Sequence, residues 1–181
     1  MAASVGGDER LRLFFAYRLP GGVADALADW QARELRDGRI VPPENLHATL
    51  VFLGGRPAGD LPAILRVLER AAGESAPPVL ELDGWRETRS AGMLVFADRT
   101  GHGAAFAGTL QGELGALGVH RPERRPWLPH VTVLRYRERP RLRPPLPELG
   151  AFAPSDAAAF LSRLHPSGAR YEVLESFSLG G

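Results

Sequence analysis

Apolar residues recur along this chain in two rhythms, one of two residues and one of three to four. Arg10 to Tyr17 (RLRLFFAY) reads as a strand, broken by Pro20 and the two glycines after it. Val23, Ala26, Leu27 and Trp30 fall at helical spacing and predict an amphipathic helix over roughly 23–36. VPPENL is a turn that delivers the chain into a strand over 46–53, ended by Gly54-Gly55. Leu61, Ile64, Leu65 and Leu68 mark a second helix, and Pro77-Pro78 then separates two halves of similar length.

The second half opens with two strand candidates, VLELDGW and GMLVFAD. Phe106, Leu110, Leu114 and Leu117 predict a helix despite internal glycines, each costing about 1 kcal/mol against alanine. A strand over 128–135 follows, then a proline-rich surface connection, PRLRPPLPELG, read as a rigid loop. AAAFLSRL and ARYEVLESFSL alternate at period two and close the chain as a hairpin. The opening MAASVGGDE has the composition of a disordered segment.

Each half thus contains a strand, a helix and a strand that begins His-x-Thr: HATLVFLG from His47 and HVTVLR from His130. The repeated order suggests an internal duplication. The expected fold is α+β and bilobal, with two pseudo-symmetric lobes, 10–76 and 77–181. Each would carry an antiparallel-rich sheet with helices outside, strand exchange between lobes being allowed. Facing lobes would place both histidines in a shared central cleft.

Strand alternation puts His47 and Thr49 on one face, with Ala48 and Leu50 behind them. His130 and Thr132 share a face likewise, with Val131 and Val133 behind. A core strand would carry aliphatic residues at those forward positions. An imidazole serves as general base when neutral and general acid when charged, and a hydroxyl beside it can donate to an anionic oxygen. Two such strands face to face supply one base, one acid and two donors around a single charged group. Phosphodiester cleavage without metal needs that set. One His-x-Thr is a weak signal; two, each opening an apolar strand, point to function. His102, His120 and His165 occupy a helix start and turns, and are read as surface residues.

Composition changes the picture in three places. The chain has no cysteine, which removes disulfides and thiolate metal sites and fits a cytoplasmic protein. No apolar run of eighteen residues or leader pattern occurs, so neither a membrane span nor a signal peptide is expected. All basic residues are arginine, and eight of them face two glutamates between Arg121 and Arg143, a net of +6 against +1 for the chain. That block brackets the second His-x-Thr and suits an anionic ligand there. Hydroxyls rather than further His or carboxylate ligands accompany the histidines, so no metal site is expected. No heptad seam occurs, and a monomer is expected.

The segments RLFFAYRLP, PENLHATLVFLG, RPWLPHVTVLR and LSRLHPSGARYEVL occur in this order across nearly the whole chain. In them the chain resembles the two-histidine (2H) phosphoesterase superfamily, and within it the RNA 2′,3′-cyclic phosphodiesterases formerly called 2′-5′ RNA ligases. The resemblance implies cofactor-free, metal-independent hydrolysis of a terminal 2′,3′-cyclic phosphate on RNA, leaving a 2′-phosphate. In some relatives it implies the reverse 2′-5′ ligation as well. Carried over, His47 and His130 would be the acid–base pair, His47 as acid and His130 as base, and Thr49 and Thr132 would hold the phosphate oxygens. Phe52 would stack on a base and Arg135 would hold phosphate or base. Both lie five residues after their histidine, an odd offset that strict alternation turns away from the cleft unless the strand bulges. Ala48 stands where relatives often carry a larger aliphatic residue. The rival readings are a phosphodiesterase for small cyclic phosphates, such as cyclic nucleotides or ADP-ribose cyclic phosphate, and a non-catalytic RNA-end binding module.

Overall fold

Alternation along strand β1 (Arg10–Arg18) divides the molecule into two faces. Leu13, Phe15 and Tyr17 enter the main core, while Phe14 and Ala16 enter a small cluster with Ala158 and Phe160 on the other side. The computed structural model describes residues 9–180. Residues 1–8, most of the segment read as disordered, lie outside the described residues.

Helices α1 (Gly21–Glu34), α2 (Leu61–Gly73) and α3 (His102–Ala116) all bury their apolar stripes in the main core. β1 ends at Arg18, before Pro20, and the two glycines after the proline are the first residues of α1. In α3, Phe106, Ala107, Leu110 and Leu114 are buried. Burying a large apolar side chain is worth about 1.5–3 kcal/mol, which outweighs the glycine penalties of that helix.

The remaining strands are β2 (Arg39–Ile40), β3 (His47–Pro57), β4 (Leu80–Glu87), β5 (Ala91–Asp98), β6 (His130–Arg135), β7 (Asp156–Arg163) and β8 (Arg170–Ser178). They form one eight-stranded sheet in the order β4-β5-β6-β3-β1-β7-β8, with β2 paired to β6. The C-terminal hairpin therefore joins β1, and β2 from the N-terminal half joins the second motif's strand. Proline-rich residues 140–150 form no strand or helix. Among the described residues no helix is long and apolar enough to cross a membrane.

Two sequence expectations are corrected here. Strand β3 does not stop at Gly54-Gly55 but runs on to Pro57, pairing Gly54 with Leu13 and Gly55 with Arg12. Gly54, at φ 68, absorbs the irregularity in a left-handed conformation that glycine adopts without strain. The turn assigned to VPPENL is preceded by a short strand, β2, that the pattern did not reveal.

The two halves of the sheet meet at one pair, Ala48 opposite Val131. Beside this seam, Gln31 of α1 is fully buried and donates its amide to the carbonyls of Val41 (3.0 Å) and Val133 (2.8 Å). It thereby ties a helix, the β2 exit and β6 together. Gln31→Leu is expected to lower unfolding stability by about 2 kcal/mol, the usual scale for stranding buried carbonyls. Urea denaturation measures this, and an unchanged midpoint would show that neither bond matters.

Candidate functional site

The seam also sets the two motifs against each other. Extending the antiparallel Ala48–Val131 register by one residue each way brings His47 opposite Thr132 and Thr49 opposite His130. Both imidazoles and both hydroxyls therefore project from the same face, on either side of the seam. A cleft of about 860 Å³ opens on this face, and His47, Thr49, Phe52, His130, Thr132 and Arg135 all line it.

Phe52 and Arg135 reach the cleft because both strands bulge at the same offset from their histidine. In β3, Phe15 pairs with Val51 and Ala16 with Thr49, leaving Leu50 as an extra residue. In β6, Gly92 pairs with Leu134 and Met93 with Thr132, leaving Val133 extra. Leu50 and Val51 are then both buried, as are Val133 and Leu134, and the next side chain turns outward. One inserted residue inverts the alternation beyond it. Phe52 is accordingly 43% exposed, and Arg135 is exposed too.

Both imidazoles are tied in the same local way. Nδ1 of His47 donates to the Asn45 carbonyl at 2.8 Å, and Nδ1 of His130 donates to the Leu128 carbonyl at 2.9 Å. A carbonyl can only accept, so each neutral ring carries its proton on Nδ1 and leaves Nε2 as an acceptor. The Thr49 hydroxyl donates to Nε2 of His47 at 2.8 Å.

Their surroundings differ. His47 packs on Phe14 at 4.8 Å between ring centres, Tyr171 at 5.4 Å and Phe160 at 5.9 Å. Burial against these rings pushes its pKa down to about 4, helped by the nearby charges of His130 and Arg135 and partly opposed by the Asn45 carbonyl. Near neutral pH, His47 is therefore an uncharged ring with an acceptor nitrogen on the cleft side.

Trp127 fixes the approach to the second motif. Its indole N–H donates to the carbonyl of Thr49 at 2.9 Å, so the residue three before His130 grips the strand carrying the first motif. Gly103 lets the ring sit there, since a β-carbon at that position would lie 2.5 Å from it.

The sequence pattern assigned no role to Arg12, Phe14, Arg39, Arg170 or Tyr171, which also line the cleft. For Arg12 and Phe14 the signal was present, because β1 alternation sets them opposite Leu13 and Phe15. Arg39, Arg170 and Tyr171 arrive through tertiary pairing that no local pattern carries. Arg39 donates to the Ser167 carbonyl at 2.7 Å and Asn45 to the Ala169 carbonyl at 2.9 Å, clasping the β7–β8 turn over one end of the cleft. Among the remaining histidines, His102 and His165 are exposed as expected. His120 is half-buried with a buried Nε2, because Val119 beside it enters the core. Among the described residues no three His, Asp or Glu side chains converge as a metal site would require.

A titration tests this electrostatic picture. NMR is expected to place the His47 midpoint in the free protein at about 4; one near 6.5 would mean the aromatic enclosure is absent. An unfolded chain binds this proton near pH 6.5, so folding stability should hold above that pH and fall as pH drops towards about 4. His47→Gln should flatten that part of the stability curve.

Known proteins share this architecture. A family model described as the 2′-5′ RNA ligase superfamily matches residues 19–165. An RNA 2′,3′-cyclic phosphodiesterase of Thermus thermophilus is 35% identical over 182 residues, covering 94% of this chain and 91% of the relative. The Escherichia coli protein of the same description is 27% identical over 184 residues, covering 95% and 98%. The crystal structure of TT0787 from T. thermophilus matches with a TM-score of 0.78 at 32% identity, covering 94% of this chain and 99% of that one. That of E. coli LigT complexed with 3′-AMP matches with a TM-score of 0.80 at 25% identity, covering 96% and 100%.

Proposed function

The chain belongs to the 2′-5′ RNA ligase superfamily, and from that membership we propose that it hydrolyses the terminal 2′,3′-cyclic phosphate of RNA to a 2′-phosphate without metal. The observation carrying this reading is the convergence of two His-x-Thr pairs on one cleft, both imidazoles and both hydroxyls projecting from the same face. One chain supplies every group involved, which supports a monomer acting as a single unit across exchanged lobes. The absence of cysteine and an RNA substrate both suit the cytoplasm.

In the reaction, a water oxygen bonds to phosphorus as the bond from phosphorus to the 3′ oxygen breaks. One imidazole takes the water's proton and the other protonates the departing 3′ oxygen, leaving a 3′ hydroxyl and a 2′-phosphate. With phosphate bound, the Thr49 hydroxyl exchanges its bond to His47 Nε2 for a non-bridging oxygen, Thr132 donates to the other, and Arg135 adds positive charge where negative charge builds. Phe52 offers its exposed face to the terminal base. A 5′ hydroxyl of a second RNA replacing water would give a 2′-5′ linkage by the same proton transfers.

The surroundings of His47 favour the base role for it, the reverse of the order expected from the sequence. Enclosure of the His47 ring by three aromatics disfavours charge on it and leaves its Nε2 unprotonated, as a base requires. His47 is the base that activates water, and His130 is the acid.

Replacing the 3′ bridging oxygen by sulfur separates the roles, since a thiolate leaves without an acid. On an ordinary cyclic-phosphate oligonucleotide in EDTA, His47→Ala and His130→Ala should each lose about 10²–10⁴ of the rate. On the sulfur analogue, His130→Ala should recover and His47→Ala should not. Recovery of His47→Ala instead would restore the opposite order, and turnover by the double variant would end the two-histidine reading.

A further inference from the structure

A second groove begins where the cleft ends. Of about 980 Å³, it shares Arg39 and Arg135 with the cleft and continues past Arg137 and Arg139. Tyr136 makes this continuation rigid. It is buried, and its single hydroxyl proton is shared between the carbonyls of Ala91 (2.6 Å) and Thr88 (3.0 Å). With Tyr136 pinned inward, Arg135 and Arg137 point outward on either side of it. The opposite wall is the turn at Asp37 and Gly38, drawn against β6 so closely that a β-carbon on Gly38 would lie 2.7 Å from the Arg135 carbonyl.

The charges of this groove are not equally engaged. Arg139 pairs with Glu87 at 3.0 Å, and the Glu87 carboxylate also accepts the backbone N–H groups of Arg141 and Leu142. Arg139 is thus a structural cation that holds the proline-rich segment. Arg39 is engaged by the Ser167 carbonyl. Arg137 makes no ion pair among the described residues, although Asp37 and Glu138 also line the groove. An exposed arginine left free beside an anion-binding cleft is suited to bidentate recognition of a phosphate.

We propose that the groove from Arg135 to Arg137 is a second anion subsite that holds an upstream phosphodiester of the RNA whose cyclic end lies between the histidines. This rests on the reading given under Proposed function and deepens it. The cyclic phosphate occupies the 3′ end, so every further phosphate lies on the 5′ side. The other end of the cleft is built differently. There Phe52 stacks towards Phe14, with rings 6.4 Å apart, and Arg12 sits over Phe52 at 4.9 Å. That end offers flat faces for a base, while the Arg135–Arg137 end offers open guanidinium groups for a strand's phosphates. Such a subsite favours an oligonucleotide over a cyclic mononucleotide.

Binding tests this without relying on turnover. Oligonucleotides of one to six nucleotides, each carrying a 3′-terminal nucleotide with a 2′-phosphate and a 5′ fluorophore, are titrated by anisotropy against wild type, Arg137→Gln and Arg137→Glu. For wild type, affinity should rise about tenfold once an upstream phosphodiester is present, the scale of one charge-assisted contact. Its logarithm should fall against the logarithm of salt about 0.7 more steeply than for the mononucleotide. Arg137→Gln should remove most of this step and Arg137→Glu all of it. Affinity independent of length, or a step that survives Arg137→Glu, would overturn the subsite. Turnover of a cyclic-phosphate oligonucleotide by the same preparations reports separately on the reaction, so loss of one reading is distinguishable from loss of the other.

Discussion

Ala48 and Val131 are the one residue pair through which the two halves of the sheet meet, and the cleft depends on that narrowness. A longer ladder between β3 and β6 would draw the motif strands into ordinary pairing. A missing one would leave the histidines on separate bodies. With one pair, the strands touch beside both motifs and then diverge, making room for a ligand between their forward faces. Divergence costs backbone partners, because groups that a ladder would satisfy are left open. The protein satisfies them from outside the ladder: Trp127 donates to Thr49, Gln31 donates to Val133, and the Val41 N–H also donates to Val133 at 3.1 Å. Each of these donors comes from a different segment of the chain, so the two motifs are held by tertiary structure as a whole.

Symmetry in the backbone is paired with asymmetry in the environment. Both histidines present Nε2 to the cleft through the same carbonyl tie, and both strands bulge three residues later. The two motifs therefore present geometrically equivalent imidazoles. Proton transfer in a direction needs them inequivalent. The C-terminal hairpin breaks the tie: β7 brings Phe160 and β8 brings Tyr171 against His47, joining Phe14 from β1. Because the β7–β8 hairpin joins β1 and not β4, β5 or β6 of its own half, this aromatic wall forms on one side only.

Much of this arrangement is legible in the sequence. The periodicities locate the three helices and the long strands, and the repeated His-x-Thr locates the site. Alternation also separates forward from rear residues correctly up to each threonine. What it misses beyond that point is itself written in the chain as adjacent apolar pairs, Leu50-Val51 and Val133-Leu134, at matching positions. A half-buried strand seldom needs two neighbouring apolar residues, and a bulge does, because both then face the core. β2 is invisible to pattern because two exposed residues, Arg39 and Ile40, carry none; only their partner on β6 makes them a strand. The clasp over the cleft is equally hidden, since it joins residues more than a hundred positions apart.

The same logic gives meaning to the arginine-only basic block, which composition alone leaves as a charged surface. Its members divide by whether the fold has already engaged them. Arg139 is committed to the buried Glu87 carboxylate and shapes the backbone beyond the motif. Arg135 is turned into the cleft by a bulge, and Arg137 is held outward by the anchored tyrosine between them. Lysine could supply charge at these positions, but not a planar fork whose orientation the backbone sets. If the ligand is the RNA strand proposed above, its phosphates are spaced along a chain, and holding them calls for cations at fixed positions. The bulge that turns Arg135 into the cleft and the inward tyrosine that follows it fix the spacing of these two cations from one short run of sequence.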